Sequence, residues 1–560
     1  MDSLLAQPQL LTDPFLQFPT DRSIKVVWFT EFPGIRHTVV YGENLTQIVT
    51  ATTQKLSRTR EDKDSRVAEV IKNQIIDSQP IVREIWRHEA EVIHLTPGVR
   101  VPYQVKSETE AGQTISSRVF TLTPTPAAGT PLKILLTSDH QLMPMTSANL
   151  QKVTETIEAV DAVFLAGDLV NVPDRASEWF DDVRGGAFFP CLQGRAAYKL
   201  ERNGLQTVYH GGELIQSAPL FPTIGNHEVM GRFSTASGLN AQFHDPFPRK
   251  AAEQLYQEKV AQWQLEPEEK LQEAWLKEHS FNTDTYEEIF SLPSPTHYYA
   301  ISFGDIRLVS LYITNIWRTP SLDAGAKGKY REREEDFDSP ERWGYGQHIF
   351  EPIVKGSPQY QWLEKELSSA EFQQAKYKIV MFHHPPHSLG DNIVPAYTDP
   401  VSVIERDEQG KIKMIRYQYP KSDDYIIRDA IPLLEKAGVQ LVLYGHTHIW
   451  NRFRSATGLH FLETSNVGNT YGAYLGNHQR SVPPGDRGDY VAVGDPNGLE
   501  PIVPSLAPLL QEDGQPMPYI ASNDLTVFSI FETEKGIVSS YYFDTRKPDS
   551  KVVKFDQFQL

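Results

Sequence analysis

A layered α/β domain behind a small all-β sandwich is the fold this 560-residue sequence predicts. Three observations predict it. From residue 131 onward, apolar runs of strand length alternate with helical patterns. Residues 23–126 are filled instead by β-branched and aromatic runs broken by turn chemistry. Between the two lies Thr123-Pro124-Thr125-Pro126-Ala127-Ala128-Gly129, whose composition is that of a linker.

Residues 1–22 read as a proline-punctuated leader. In the sandwich, Ile24 to Thr30 and His37 to Tyr41 are strands, with Pro33-Gly34 as the turn between them. Val92 to Leu95, Thr96-Pro97-Gly98 and Val101 to Val105 read as strand, turn, strand. The charged stretch from Arg58 to Arg66 reads as a solvated loop. In the large domain, spanning 131–560, Leu132 to Thr137 is apolar but for Lys133, as a buried strand requires. Ser147 is placed as an N-cap, with Leu150, Val153, Ile157 and Val160 on one helical face. Ala162 to Ala166 is the next buried strand. Pro358 is placed as a first-turn proline of a helix carrying Trp362, Leu363 and Leu367. Ile379 to Phe382 is another strand. Ile426 to Leu434 is a helix stopped at Gly438, and Val439 to Tyr444 is the strand after it. Two segments interrupt the alternation. Residues 249–280 read as a charged helical pair. Residues 318–357 read as loop, with a charge cluster from Arg331 to Asp338; each is either a cover over a site or a decorated surface.

Five short motifs follow strand-like runs in one order: Ser138-Asp139-His140, Gly167-Asp168, Gly225-Asn226-His227-Glu228, His383-His384-Pro385-Pro386 and Gly445-His446-Thr447-His448. In layered α/β sheets, ligands sit beyond the carboxyl ends of strands, where all five motifs fall. Aspartate, asparagine and histidine in that number suit two first-row metal ions. A lone histidine carries no such weight. His244, His297, His348, His387 and His478 are therefore read as core, surface or substrate-loop residues, with His348 and His387 the two among them that could touch substrate.

The bulk numbers exclude some classes. Net charge is −18, which argues against a general nucleic-acid binder and against anionic membrane surfaces. Bound cations can still reverse the sign locally for an anionic substrate. The single cysteine, Cys191, cannot form an intramolecular disulfide and fits a reducing compartment. Met1 to Asp21 lacks a basic n-region and a long apolar h-region, so no signal peptide is expected, and a cytoplasmic location is. No apolar run reaches the length of a membrane span. The sequence leaves the oligomeric state open.

These five motifs resemble those of the calcineurin-like metallophosphoesterase superfamily. In layout the chain is similar to its purple acid phosphatase branch, whose N-terminal domain is a fibronectin-like sandwich, here residues 23–126. Tyr298 to Tyr312 and Pro358 to Leu367 are similar to stretches of that branch's catalytic domain. The resemblance implies a layered βαβαβ catalytic domain holding two divalent or mixed-valence ions (Fe, Mn or Zn). It implies that Asp139, His140 and His448 hold the first metal, that Asp168 bridges, and that Asn226, His383 and His446 complete the second. Two aspartates and one hydroxide against two divalent ions leave a net charge of about +1 for a substrate phosphate.

Two departures stand out. The Asp139-His140 pair is adjacent where the common pattern separates it by one residue. Either His140 is the ligand in a shortened loop, or the register runs Asp139-His140-Gln141 and Gln141 takes the third place. Second, the purple branch has a tyrosine three residues after the bridging aspartate, and here Asn171 stands there. Tyrosinate-to-iron colour is then not expected, and a neutral pH optimum fits better than an acidic one.

The expected chemistry is hydrolysis of a phosphoric ester by a hydroxide held between the cations. His227 is placed to protonate the leaving oxygen or bind phosphate, with Glu228 orienting it or lying at the surface. His384 is either a phosphate contact or a structural residue beside Pro385-Pro386, and His387 and His348 are further candidate substrate contacts. The expected substrate is a small phosphorylated molecule and the expected activity that of a phosphomonoesterase. A phosphodiesterase with the same metals and a non-catalytic metal-binding scaffold are the competing readings.

Overall fold

The computed structural model describes residues 8–75, 79–263, 269–293, 296–315, 327–344, 346–390, 392, 396–482, 491–502, 509–510 and 514–560. An N-terminal, mostly β region precedes a mixed α/β domain, as the sequence predicts.

The N-terminal region has two main sheets. One runs Phe15–Gln17, Ile24–Thr30, Trp86–Val92, Thr52–Lys55. The other is built on Val101–Glu108 and Arg36–Tyr41. Alternate residues of their strands meet in one core of Leu16, Val26, Trp28, Val39, Tyr103 and Val105. The reading of residues 1–22 as a leader needs correction for its described part. Phe15–Gln17 pairs antiparallel with Lys25 to Val27, and Phe15 and Leu16 are fully buried. Its apolar residues are core residues of this chain. Residues 1–7 lie outside the described residues.

Two sheets pack face to face in the α/β domain. The first runs Leu220–Pro222, Ala162–Leu165, Lys133–Thr137, Leu525–Glu532, Ile537–Asp544, Val553–Gln559. Its first three strands are parallel. The second runs Tyr299–Phe303, Ile306–Ser310, Tyr377–Met381, Leu441–Tyr444, His460–Thr464, Trp450–Arg454, Tyr519–Ile520, with the four strands from Ile306 to Thr464 in that order parallel. Ile134, Leu136 and Phe164 of one face Ile379, Met381, Leu441 and Leu443 of the other, while a second core lies under the helices on the outer faces. Burial on both faces is why these strands read as near-continuous apolar runs.

Local differences have local causes. The helix expected to be capped by Ser147 is capped two residues earlier, by Met145, and starts at Thr146; Ser147 Oγ instead meets Cys191 Sγ at 3.1 Å. The helix at Pro358–Leu367 is capped by Ser357, whose hydroxyl accepts the Tyr360 N–H. The 249–280 segment is the helical pair Arg249–Trp263 and Glu269–His279. In the 318–357 segment, residues 316–326 and 345 lie outside the described residues. Tyr330 packs with Ile415, Tyr417 and Tyr419 of the hairpin region 401–419, and Glu332 accepts from the Tyr417 hydroxyl at 2.8 Å. The described part of the segment around Tyr330 and Glu332 is docked against that hairpin region.

The largest correction concerns Arg58 to Arg66. Arg58, Arg60, Glu61 and Asp62 are buried, not solvated. Arg58 pairs with Asp284 at 3.0 Å, Arg60 with Asp174 at 2.6 Å, and Asp62 with Arg175 at 3.2 Å. The partners lie more than 100 positions away, so the stretch looked like an ordinary charged loop.

Candidate metal centre

Each metal-type residue sits in the first turn after a strand. Several of these turns take the left-handed backbone that non-glycine residues avoid: φ is +57° at Asp139, +57° at Asp168, +84° at His446 and +57° at His448. Such conformations cost on the order of 1–3 kcal/mol each and persist where surrounding contacts impose them. Two glycines permit the loops to touch. A Cβ on Gly225 would stand 2.2 Å from Asp168 Oδ1, and one on Gly445 would stand 2.1 Å from Asp139 Oδ2.

Two groups of buried side chains result. Asp139, Asp168 and His448 form one; Asp168, His383 and His446 form the other; within each, the potential ligand atoms all lie within 4.8 Å of one another. Asp168 belongs to both. Its Oδ2 is 3.1 Å from His383 Nε2, and Asp139 Oδ1 is 3.4 Å from His448 Nε2. The ring tautomers are set from behind. His383 Nδ1–H donates to the Ala166 carbonyl at 2.8 Å, and His448 Nδ1–H to the Asn469 carbonyl at 3.0 Å, which turns both Nε2 lone pairs toward the aspartates.

Electrostatics favour positive charge here. Burial opposes a charged imidazole, but the Asp168 carboxylate overrides it and raises His383 to about 10. The field that favours a proton at that place favours a metal cation equally. Burial and neighbouring histidines push His446 well below its usual range. The donor set fits two cations on a further count. Among the described residues, His446 Nε2 and both amide atoms of Asn226 are buried without a hydrogen-bond partner. A buried lone pair left over is costly, and a metal ion would satisfy it.

His140 is not in either group. Its Nε2 shares a 2.9 Å hydrogen bond with Thr137 Oγ1 at the end of the preceding strand, its ring lies near Phe188, and burial lowers it to about 3. Its Nδ1 is buried without a hydrogen-bond partner among the described residues, as His446 Nε2 is, and the alternative register is represented as well. Gln141 reaches the shared aspartate, its Nε2 donating to Asp168 Oδ2 at 2.9 Å.

The expected role of Glu228 also changes. Its carboxylate accepts from the Asp168, Leu169 and Gly225 N–H groups at 2.9, 2.7 and 2.7 Å, so it ties two loops together and does not orient the His227 ring. Burial and the Asp168 charge push it up to about 8, against those three donors. His227 is half-buried beside the pair. Its N–H donates to Asp168 Oδ1 at 2.9 Å, its Nδ1–H to the Asn171 carbonyl at 2.7 Å, and its ring stacks on Phe243.

The candidate substrate residues divide. His384 is buried against His446 and Tyr397, with centroids 4.7 and 5.3 Å away. His387 is paired with Asp495 at 2.7 Å and packed on Phe461, contacts that support the 383–388 loop. His348 lies between Phe281 and Phe350.

Three neighbours escaped the sequence reading. Glu463 lies buried under the Gly445–His448 loop and accepts from Thr447 N–H, Thr447 Oγ1 and Asn451 Nδ2 at 2.8, 2.6 and 3.0 Å. Tyr471 stacks on His448 at 5.2 Å and remains 39% exposed, at the outer edge of the centre. Lys329, buried in the 327–344 segment, adds a positive charge felt by His384 and His446. Only Glu463 carried a signal, a carboxylate inside the strand His460–Thr464.

The calcineurin-like phosphoesterase family profile matches residues 132–450. Among solved structures, the chain is similar to the purple acid phosphatase PPD1 from yellow lupin (Lupinus luteus) seeds, at 14% identity and a TM-score of 0.52, over 97% of this chain and 73% of that one. At that identity the likeness speaks for the fold alone. A family 28 exopolygalacturonase from Yersinia enterocolitica matches over 28% of this chain and 27% of that one at 18% identity; its TM-score of 0.12 carries no argument. No curated protein matches. Among the described residues, no helix is long and apolar enough to cross a membrane. The family profile spans more than half of the chain and takes in the strands and loops that gather the two aspartate–histidine groups: the protein belongs to the calcineurin-like phosphoesterase family.

Proposed function

We propose that this chain is a dinuclear metal-dependent phosphomonoesterase acting on a small phosphorylated molecule. The observation that carries the reading is the membership of Asp168 in both ligand groups, since a shared carboxylate is what holds two cations at catalytic spacing. Asp139, Asp168 and His448 are assigned to one ion, and Asp168, Asn226, His383 and His446 to the other. Two such ions, when bound, polarise the phosphoryl oxygens and activate water at neutral pH.

The chain's own residues supply the rest. Asn226 brings a neutral oxygen and the histidines neutral nitrogens, so the ion pair keeps net positive charge for an anionic substrate. With Nδ1–H engaged by the Asn171 carbonyl, a protonated His227 carries its second proton on Nε2, and that proton goes to the leaving oxygen. Glu228 and Glu463 fix the loops that carry the ligands. Lys329 adds positive charge on the side of His384. The two packed antiparallel sheets before residue 126 support a fibronectin-like reading of the N-terminal region, and with it the purple acid phosphatase layout. Cys191, the lone cysteine, is buried, and its thiol is pushed up to about 12 by burial; an unreactive, unpaired thiol fits the cytoplasm.

Metal analysis of the purified protein, followed by parallel assays of aryl phosphate monoesters and diesters, tests the proposal. About two ions per chain and a monoester preference are expected. A diester preference moves the assignment to a phosphodiesterase; stoichiometric metal without turnover on either class leaves a scaffold.

A further inference from the structure

We infer that Glu178 is a positioning residue for His227, and that the N-terminal region reaches the reaction through it. The inference rests on the reading of His227 as the proton donor to the leaving group. It follows from an unbroken series of contacts, part-buried at His227 and Asn171 and buried beyond. His227 Nδ1–H donates to the Asn171 carbonyl at 2.7 Å. The Asn171 and Val172 N–H groups both donate to Glu178 Oε2, at 2.7 and 2.9 Å. The other carboxylate oxygen, Glu178 Oε1, accepts from Arg175 Nη1 at 2.8 Å. Arg175 Nη2 in turn reaches Asp62 Oδ1 at 3.2 Å and Oδ2 at 3.4 Å. Asp62 belongs to the N-terminal region.

The last link is held on both sides. Arg60 N–H donates to the Asp174 carbonyl at 2.9 Å, and Arg60 Nη2 to the Asp174 carboxylate at 2.6 Å. Glu61 accepts from the Ser177 N–H at 2.8 Å and the Ser177 hydroxyl at 2.9 Å, at the start of the short helix Ala176–Phe180 that carries Glu178. The Asn171 side chain meanwhile donates to the Gln141 carbonyl at 2.7 Å, next to the loop of Asp139. Asp62, Arg175 and Glu178 are all buried.

A carbonyl that accepts from Nδ1 decides which way an imidazole faces and which nitrogen meets the leaving group. The direction of that carbonyl depends on the two N–H bonds to Glu178, and bonds to a charged acceptor are the stronger kind. Misplacement by about 1 Å can cost on the order of 10²-fold in rate. The contacts run from the N-terminal region to the proton donor and bypass the metal ligands.

Glu178→Gln keeps the shape and removes the charge. Its amide then faces a donor at one end, either Arg175 or the two N–H groups. The test uses the metal-loaded full chain and a series of phosphate monoesters whose leaving groups span nitrophenol to alkyl alcohol. Help from a proton donor matters little for a good leaving group and much for a poor one. Glu178→Gln is expected to lose about threefold on the nitrophenyl ester and about 30-fold on the alkyl ester, with metal content unchanged. Asp62→Asn, one contact farther away, is expected to tilt the series the same way by a smaller factor, and it carries the test if Glu178→Gln does not fold. Equal losses along the series indicate a merely structural role and overturn the inference. So does an unchanged series in Glu178→Gln alongside a steep one in His227→Ala. A flat series in His227→Ala itself overturns the reading of His227, and the inference falls with it.

Discussion

Among the described residues, two clusters of buried histidines invite comparison, and only one of them gathers with aspartates in a candidate metal-binding group. In the N-terminal region His37 and His88 stack at 3.6 Å. All four of their ring nitrogens have partners: Ser107 Oγ and the Pro33 carbonyl for His37, Thr30 Oγ1 and Thr53 Oγ1 for His88. In the α/β domain His383, His384 and His446 are just as buried. There, His446 Nε2 and His384 Nδ1 have no hydrogen-bond partner among the described residues, and Asp139 and Asp168 stand beside the group. Burial lowers His88 and His446 alike. What separates the clusters is the surplus of lone pairs, the carboxylates and the strained loops, +84° in φ at His446 against an ordinary strand at His88. A satisfied imidazole stabilises a core; an unsatisfied one beside a carboxylate is kept for a cation.

Breaking the shared carboxylate tests this difference most severely. Asp168→Asn removes the one charge common to both groups and is expected to abolish binding of the second ion and lower kcat by about 10³-fold or more. Metal content by emission spectrometry checks it, and full retention of both ions contradicts a bridging role. His227→Ala comes next. Loss of a proton donor costs roughly 10²–10⁴-fold in rate while both ions stay bound. A parallel fall in metal content and activity would mean that His227 holds an ion.

The same contrast explains what could be read from sequence. Buried parallel strands are apolar runs, so Lys133–Thr137, Ala162–Leu165, Tyr377–Met381 and Leu441–Tyr444 were legible, and with them the places where loops begin. Asp139, Asp168, His383, His446 and His448 could be gathered on paper because each follows such a run. His140 could not be judged that way. One of its ring nitrogens, Nε2, meets Thr137 at the end of the preceding strand, and only side-chain direction reveals it. Glu228 and Arg60 were illegible for another reason. Their partners, Asp168 and Asp174, lie 60 and 114 positions away, and nothing local distinguishes such a residue from a surface charge.

A smaller effect is expected at Glu463, which binds no ion in this scheme and acts on the loop that does. Glu463→Gln replaces one acceptor oxygen with a donor facing Thr447, Ser465 or Asn451. Changes of this kind behind a metal ligand typically weaken metal affinity by about 10–100-fold. Chelator competition measures it. An unchanged affinity would show that the Gly445–His448 loop holds its shape without the carboxylate.

The N-terminal histidine pair provides the control, with no expected effect on metal content or turnover. Burial brings His88 down to about 2, whereas an unfolded histidine titrates near 6.5. Below pH 6.5 the unfolded chain therefore binds a proton that the folded chain refuses, and stability falls as pH drops, by up to about 1.4 kcal/mol per pH unit from this group. Above pH 6.5 both states are neutral and the group contributes no slope. His88→Phe gives up the bonds to Thr30 and Thr53, at a cost of about 1–3 kcal/mol, and removes that slope. Urea midpoints between pH 5 and 8 measure both quantities. If the acid slope survives the substitution, other buried groups of the region cause it. If the substitution also strips metal from the centre, the two clusters are coupled and the distinction between them fails.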